Sequence, residues 1–182
     1  MGYWIRCHYL DASALVKLVA EDEAERPGRQ ALRDYYWANT ANVYSTSYSV
    51  TEALSAFKYK YVRKQISRDE YKDYVRRFLR LTIGANLRVE DDIPILSGVV
   101  RDEAERMIDA YDIDFLDSFQ LVVLKRGQFR HMVGGSKTVL ITADRELANS
   151  ARKEGLAVWY CVDEPAPPAV ESPSWWIDQH GA

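Results

Sequence analysis

Cysteine is almost missing from this 182-residue chain: Cys7 and Cys161 are the only two, far apart and in no CxxC or Cys/His cluster. That spacing organises no disulfide framework. Buried, inert thiols are the expectation, with a disulfide or a metal thiolate as the alternative. Long apolar runs are missing too, since none approaches the roughly 20 residues of a membrane-spanning helix. Arg6 and His8 interrupt the N-terminal "MGYWIRCHYLDAS", which therefore does not read as a signal peptide. A cytoplasmic, reduced setting without membrane contact is expected. Nor is there a surplus of positive charge: 24 Lys and Arg against 27 Asp and Glu leave a formal net charge of −3. Any nucleic-acid contact has to come from a local patch. Proline is scarce in the body of the chain. Four of the six prolines fall in residues 163–182, which read as a Pro-rich extension outside the core that Trp175 and Trp176 would dock.

What the chain does have is 47% hydrophobic residues, enough for one sizeable core, and a length that favours one domain, residues 1–162. Residues Trp4 to Leu10 read as a strand delivering the chain to Asp11, and "SALVKLVAEDEAE" reads as a helix. A second helix, "ERPGRQALRDYYWAN", is broken near its start by Pro27 and Gly28. The β-branched and aromatic run "VYSTSYSV" then leads into the helix "TEALSAFKYKYVRKQ", with Glu52 at the junction. "SRDEYKDYVRRFLRLTIGAN" opens with Ser67 three residues before Glu70, a capping-box pattern, and closes a helical hairpin. "LRVED" is a candidate short strand, Pro94 opens the next helical stretch, and "DFLDSFQLVVLKRG" is a helix ended by Gly127. "KTVLIT" and "LAVWYCV" read as strands flanking the helix "ADRELANSARKEG". Strands alternating with helices predict an α/β fold with a small, mostly parallel sheet covered on both faces.

In such a sheet, ligands bind outside the carboxyl ends of the strands. Asp11, Glu52 and Asp144 each follow a strand-like run, and Asp114 and Asp117 stand at the start of an apolar helix. Taken singly, such acids are ordinary helix-start residues, favoured by capping and by the helix dipole. Taken together they converge on one sheet edge, where carboxylates repel and raise one another's pKa values unless a cation neutralises them. An all-oxygen set without His or Cys suits Mg2+ or Mn2+ rather than Zn2+. Such ions bind a phosphate oxygen, acidify a water and stabilise a leaving oxygen, so phosphodiester hydrolysis is the natural chemistry.

The blocks "YLDASALVKL", "TEALSAF", "DFLDSFQLVVL" and "LITADRELANSARKEGL", in this order over residues 9 to about 160, resemble the PIN-domain ribonucleases, and among them the VapC toxins. The resemblance implies a PIN-like three-layer fold and a Mg2+- or Mn2+-dependent endoribonuclease acting on tRNA or rRNA. It further implies a homodimer and a cognate antitoxin protein as partner. It makes Asp11, Glu52, Asp117 and Asp144 the catalytic and metal-binding acids, and Asp114 an additional ligand. Ser13 and Thr142, hydroxyl residues beside two of the acids, would orient carboxylates or waters; their ordinary alternative is as cap and strand-end residues. The chain is longer than a compact toxin, with a large loop, "RGQFRHMVGGSK", and the extra tail.

Lys58, Lys60, Arg63 and Lys64, interleaved with Tyr59 and Tyr61 after Glu52, form a candidate RNA wall, because phosphates need cations and bases stack on aromatic rings. The alternative is a solvated outer face. The basic loop of Lys125, Arg126, Arg130, His131 and Lys137, with Gly134 and Gly135, would flex over the site and touch phosphate. Three rival readings remain. A phosphatase with an aspartyl nucleophile needs a second acid two residues on, where this chain has Ser13. The others are a stand-alone RNA-processing nuclease and a non-catalytic module that binds RNA or protein.

Overall fold

The computed structural model describes residues 5–23, 26–83, 86–130 and 137–167. Its strands are β1 (Ile5–Leu10), β2 (Val43–Ser45), β3 (Arg88–Val89), β4 (Lys137–Thr142) and β5 (Ala157–Tyr160). They pair in the order β3-β2-β1-β4-β5, each pair parallel. Seven α-helices flank them among the described residues: α1 (Ala12–Val19), α2 (Arg29–Ala38), α3 (Ser47–Val62), α4 (Arg68–Ile83), α5 (Gly98–Tyr111), α6 (Phe115–Arg126) and α7 (Arg145–Lys153).

The three layers follow from strand alternation. Successive side chains of a strand point to opposite faces. Leu10, Val139, Ile141 and Trp159 pack with Leu15, Leu32, Phe57 and Phe78 of α1 to α4. Cys7, Tyr9 and Leu140 pack with Val100, Met107, Phe119 and Leu147 of α5 to α7. Both faces of the sheet are therefore covered, as parallel strands require, and the expected α/β class is what the chain adopts. Cys7 and Cys161 are free and buried, and burial pushes each thiol up to about 12. No helix among the described residues is long and apolar enough to cross a membrane.

The hairpin of α3 and α4 closes through Lys64, which sits at φ 57, and through the expected capping box. Ser67 N donates to Glu70 Oε2 at 2.7 Å, and Glu70 N to Ser67 Oγ at 3.2 Å. Two elements differ from their sequence expectation. The run "VYSTSYSV" is a strand only over Val43–Ser45. Thr46 caps α3 by accepting from Ser49 N, so the helix begins at Ser47 and Glu52 lies on its second turn instead of at the junction. Hydroxyl residues compete for backbone donors, and here capping outweighs β-branching. Likewise Pro94 sits in a turn, Ser97 N donating to its carbonyl, and α5 starts at Gly98 with Ser97 as cap.

Trp4, the loop residues His131, Gly134 and Gly135, and the tail with Trp175 and Trp176 lie outside the described residues. The fastening of the chain continues past Val162. Arg145 pairs with Asp163 at 2.7 Å and Arg152 with Glu164 at 2.6 Å, while Trp159 Nε1 donates to the Glu164 carbonyl at 3.1 Å.

A charged network joins α5, α6 and the end of α7. Glu103 accepts from Arg126 and, at 3.1 Å, from Lys125; Lys125 also reaches Glu154 at 2.5 Å. The Arg126 hydrogen bond, then Lys125, hold the Glu103 carboxyl down at about 2. Its folded pKa lies below the unfolded value of about 4.3, so its stabilisation is complete above that value and lost as pH falls through 2. Glu103→Gln is therefore expected to cost about 1 kcal/mol at pH 7, after allowance for solvent screening. Urea denaturation should show the difference vanishing near pH 2.

Candidate metal centre

The chain leaves β1 toward β2 on one side and returns at β4 on the other. This makes the carboxyl ends of β1 and β4 the point where the strand order reverses, and a crevice opens there. Asp11 follows β1 directly, and its N–H donates to the Ile141 carbonyl of β4 at 3.2 Å. Asp11 is 3% exposed, and both of its carboxylate oxygens are engaged. Oδ1 accepts from Ala14 N at 2.8 Å, and Oδ2 from Thr142 Oγ1 at 2.8 Å. Ser13 Oγ lies 3.0 and 2.8 Å from the two oxygens and accepts from Ala143 N at 2.8 Å. Thr142 Oγ1 in turn accepts from Asp144 N at 2.9 Å. Ser13 and Thr142 thus stitch the two strand ends together through Asp11.

Capping accounts for three of the five acids. Asp11 caps α1. Asp114 Oδ1 accepts from Asp117 N at 2.8 Å at the start of α6, and Asp144 Oδ1 from Glu146 N and Leu147 N at 2.7 and 3.0 Å at the start of α7. Each satisfies backbone donors that a helix N-terminus leaves open. Glu52 and Asp117 cap nothing.

These two carry the largest electrostatic burden. Burial first, then Asp11, Asp114 and Asp144, push the Glu52 carboxyl up to about 7. Burial, then Asp114, Asp144, Asp11 and Glu52, push Asp117 up to about 8. Asp11 itself is raised to about 6 by burial, against the opposing pull of its hydrogen bonds from Ala14, Ser13 and Thr142. Asp11, Asp114, Asp144 and Glu52 thus all act on Asp117. As they stand, no group of three or more His, Cys, Asp or Glu side chains among the described residues is arranged to hold a metal ion. Asp11 has both oxygens committed.

The donor set is oxygen only, which fits a hard cation such as Mg2+ or Mn2+. The buried His8 ring lies against Tyr35, its Nδ1 3.0 Å from the phenol oxygen, and burial lowers it to about 4. The Cys161 thiol is held protonated by burial. Neither offers a soft ligand.

A groove of about 430 Å3 adjoins the acids, lined by Ser13, Glu52 and Ala143 and also by Lys17, Arg26 and Pro27. Nothing in the sequence around Lys17 and Arg26 marks them as neighbours of the acids. Lys17 reads as a polar position of an amphipathic helix, and no spacing rule marks it. Of the cations the sequence singles out, Lys58 and Lys60 lie on α3, six and eight residues beyond Glu52, a rise of about 9 and 12 Å, and Arg63 and Lys64 follow its end. Lys60 pairs with Asp22 at 2.5 Å, Lys58 stands over the rings of Tyr61 and Tyr71, and Arg63 over that of Tyr59.

No family model and no curated protein sequence matches this chain. Among solved structures it is similar to the crystal structure of PAE2754 from Pyrobaculum aerophilum, with a TM-score of 0.55 and 20% identity over 85% of this chain and 83% of that one. At that identity the likeness is one of fold.

Proposed function

We propose that this protein is a metal-dependent endoribonuclease of the PIN-domain kind, acting as the toxin of a VapBC-type pair. The observation that carries the reading is the pair Glu52 and Asp117. Both are half-buried acids that cap no helix and are held protonated near neutral pH by burial and by the three capping acids around them. A fold tolerates such a cluster at a strand-order reversal when the acids serve a cation. Mg2+ or Mn2+ bound among them would neutralise charge on a phosphoryl oxygen and make a water a better nucleophile.

The residues of the chain then divide the work. Thr142 and Ser13 hold the Asp11 carboxylate in one orientation through donors on both oxygens. Asp144 and Asp114 are fixed through Oδ1 by helix backbones, leaving Oδ2 of each for a ligand. Glu52 and Asp117 would hold such a cation as carboxylates, each having released its proton to solvent. Cleavage products would carry 5′-phosphate and 3′-hydroxyl ends. The RNA substrate, a homodimeric state and an antitoxin partner belong to the same reading, whose sequence basis is the four ordered blocks.

Expression of the wild type and of Asp144→Asn in cells, followed by mapping of 5′-phosphate RNA ends, tests it. New ends and growth arrest are expected with the wild type, and both should disappear with Asp144→Asn. Identical end maps would sink the assignment. The commitment of both Asp11 oxygens favours one rival, a non-catalytic module; absence of Mg2+ and Mn2+ binding by calorimetry would decide for it.

A further inference from the structure

A second groove, of about 230 Å3, lies at the far end of α1, where Leu18 and Val19 form its buried floor. Arg33 and Trp37 stand one turn apart on α2, and Arg77 and Leu81 one turn apart on α4 with Arg80 beside them, so two helix faces meet across it. Trp37 is 54% exposed.

Guanidinium groups gather here faster than acids answer them. Glu21 and Asp73 both pair with Arg77, the latter at 2.7 Å. Among the described residues, Arg33 and Arg80 make no hydrogen bond, ion pair or ring contact. Arg33 is half-buried and Arg80 exposed, so both are open to a ligand. Arg29, one turn before Arg33 on α2, gives an independent sign of missing negative charge. It is 7% exposed, its Nε donates to the Lys17 carbonyl at 3.2 Å, and its buried Nη2 has no partner. Burial first, then the Arg33 charge, lowers the Arg29 pKa. A buried donor left unpaired is costly and asks for an explanation; an anion bound at Arg33 would offset the charge that Arg29 carries.

An exposed indole beside two open guanidinium groups suits an anion with a flat apolar part. A phosphomonoester carries about −1.5 to −2 charges and three acceptor oxygens, more than a carboxylate or an internal phosphodiester, and Arg matches it with planar donors. A base stacks on an aromatic ring. At about 230 Å3 the groove is smaller than the usual drug-sized pocket of about 300–1,000 Å3, which suits a single nucleotide and not a partner helix.

We propose that this groove holds the 5′-phosphorylated end of a single-stranded RNA, with the phosphate on Arg33 and Arg80 and the first base on Trp37. This rests on the nuclease reading of the acids, whose products carry such an end, and adds to it the class of RNA end that is recognised. Asp11 caps the start of α1 and Leu18 lies seven residues on, a rise of about 10 Å, the length of about three stacked nucleotides.

Full-length protein carrying Asp144→Asn is titrated, without metal, into a 3′-labelled single-stranded oligoribonucleotide bearing either a 5′-phosphate or a 5′-hydroxyl. The phosphorylated RNA is expected to bind about tenfold tighter, the scale of one charge-assisted hydrogen bond. Adding Arg33→Ala or Arg80→Ala should remove most of that preference. Trp37→Ala should weaken both RNAs about tenfold and leave the preference in place. Equal affinity for the two RNAs, or a preference untouched by both arginine changes, would overturn the proposal. So would a nucleoside 5′-monophosphate that competes as strongly as the oligonucleotide, since the ligand would then be a free nucleotide. Polyglutamate that displaces the RNA equally well would assign the groove to an acidic protein segment and overturn it too. Metal-dependent cleavage by the wild type that is indifferent to the 5′ group would defeat this proposal and leave the nuclease reading standing. A 5′-phosphate preference in a wild type that neither Mg2+ nor Mn2+ activates would refute the nuclease reading and leave the groove standing.

Discussion

Asp117→Asn is expected to make the metal-free protein more stable and, at the same time, to abolish metal-dependent RNA cleavage. The carboxyl is raised to about 8 in the fold, by burial first and then by four neighbouring acids. An acid whose folded pKa lies above its unfolded value takes up a proton on folding. Its ionised form therefore destabilises the fold by an amount that grows as pH rises from about 4 to 8 and is constant above. The uncharged amide removes that penalty. The residue is only half-buried, so solvent screening reduces the gain to about 1–3 kcal/mol at pH 8, or about 3–10 °C in melting temperature for a chain of this size. At pH 4 the variant and wild type should melt together.

Mn2+ should reverse the ranking. A cation that binds only the folded wild type raises its melting temperature by mass action, and the variant has lost a ligand and should respond far less. Cleavage should fall at least ~10^3-fold, as for loss of a group that acts only in the transition state. A variant that melts lower than wild type at pH 8 without metal would show that the acid is stabilising. The cluster would then be a structural feature.

Gly28→Ala should have the largest effect on folding. Gly28 adopts φ +80, and a Cβ there would stand 1.7 Å from the Cys161 carbonyl oxygen, 2.7 Å from its carbon and 2.8 Å from Val162 Cα. All three atoms are backbone, so no side chain can swing away. The Pro27–Gly28 segment would have to lift off the end of β5, taking the Lys17–Pro27 contact with it. We expect a loss of about 3–5 kcal/mol by urea denaturation, in the range reserved for backbone clashes. Gly155→Ala is the control. Gly155 has φ +76 but nothing within 4 Å of the added methyl, so it should lose only the conformational term, about 1 kcal/mol. Equal losses at the two positions would mean that the close approach contributes nothing.

Much of this was legible from local pattern. The strand ends at Leu10 and Thr142 could be read from "YLD" and "KTVLIT" because alternation and a following charge are local signals. The capping box at Ser67 and Glu70 could be read because its partners are three residues apart. The start of α3 could not, because "VYSTSYSV" serves equally as a β-branched strand and as a hydroxyl-rich helix start. Thr46 settles the choice by capping Ser49 N, while Ser47 N finds Asp91, 44 residues away, at 2.9 Å. Lys17 and Arg26 were invisible because what distinguishes them is where the Pro27 loop lands, which no spacing on α1 encodes.

The amino-acid order by itself determined most of the element types and the covered parallel sheet, and it marked five candidate acids, since these depend on periodicity and on nearest neighbours along the chain. Which acids cap helices and which are left to repel, and which cations stand beside them, was decided only by the tertiary structure. Burial and Coulomb interaction depend on distance through space, and the strand order β3-β2-β1-β4-β5 is what brings residues 11, 52, 117 and 144 into one field.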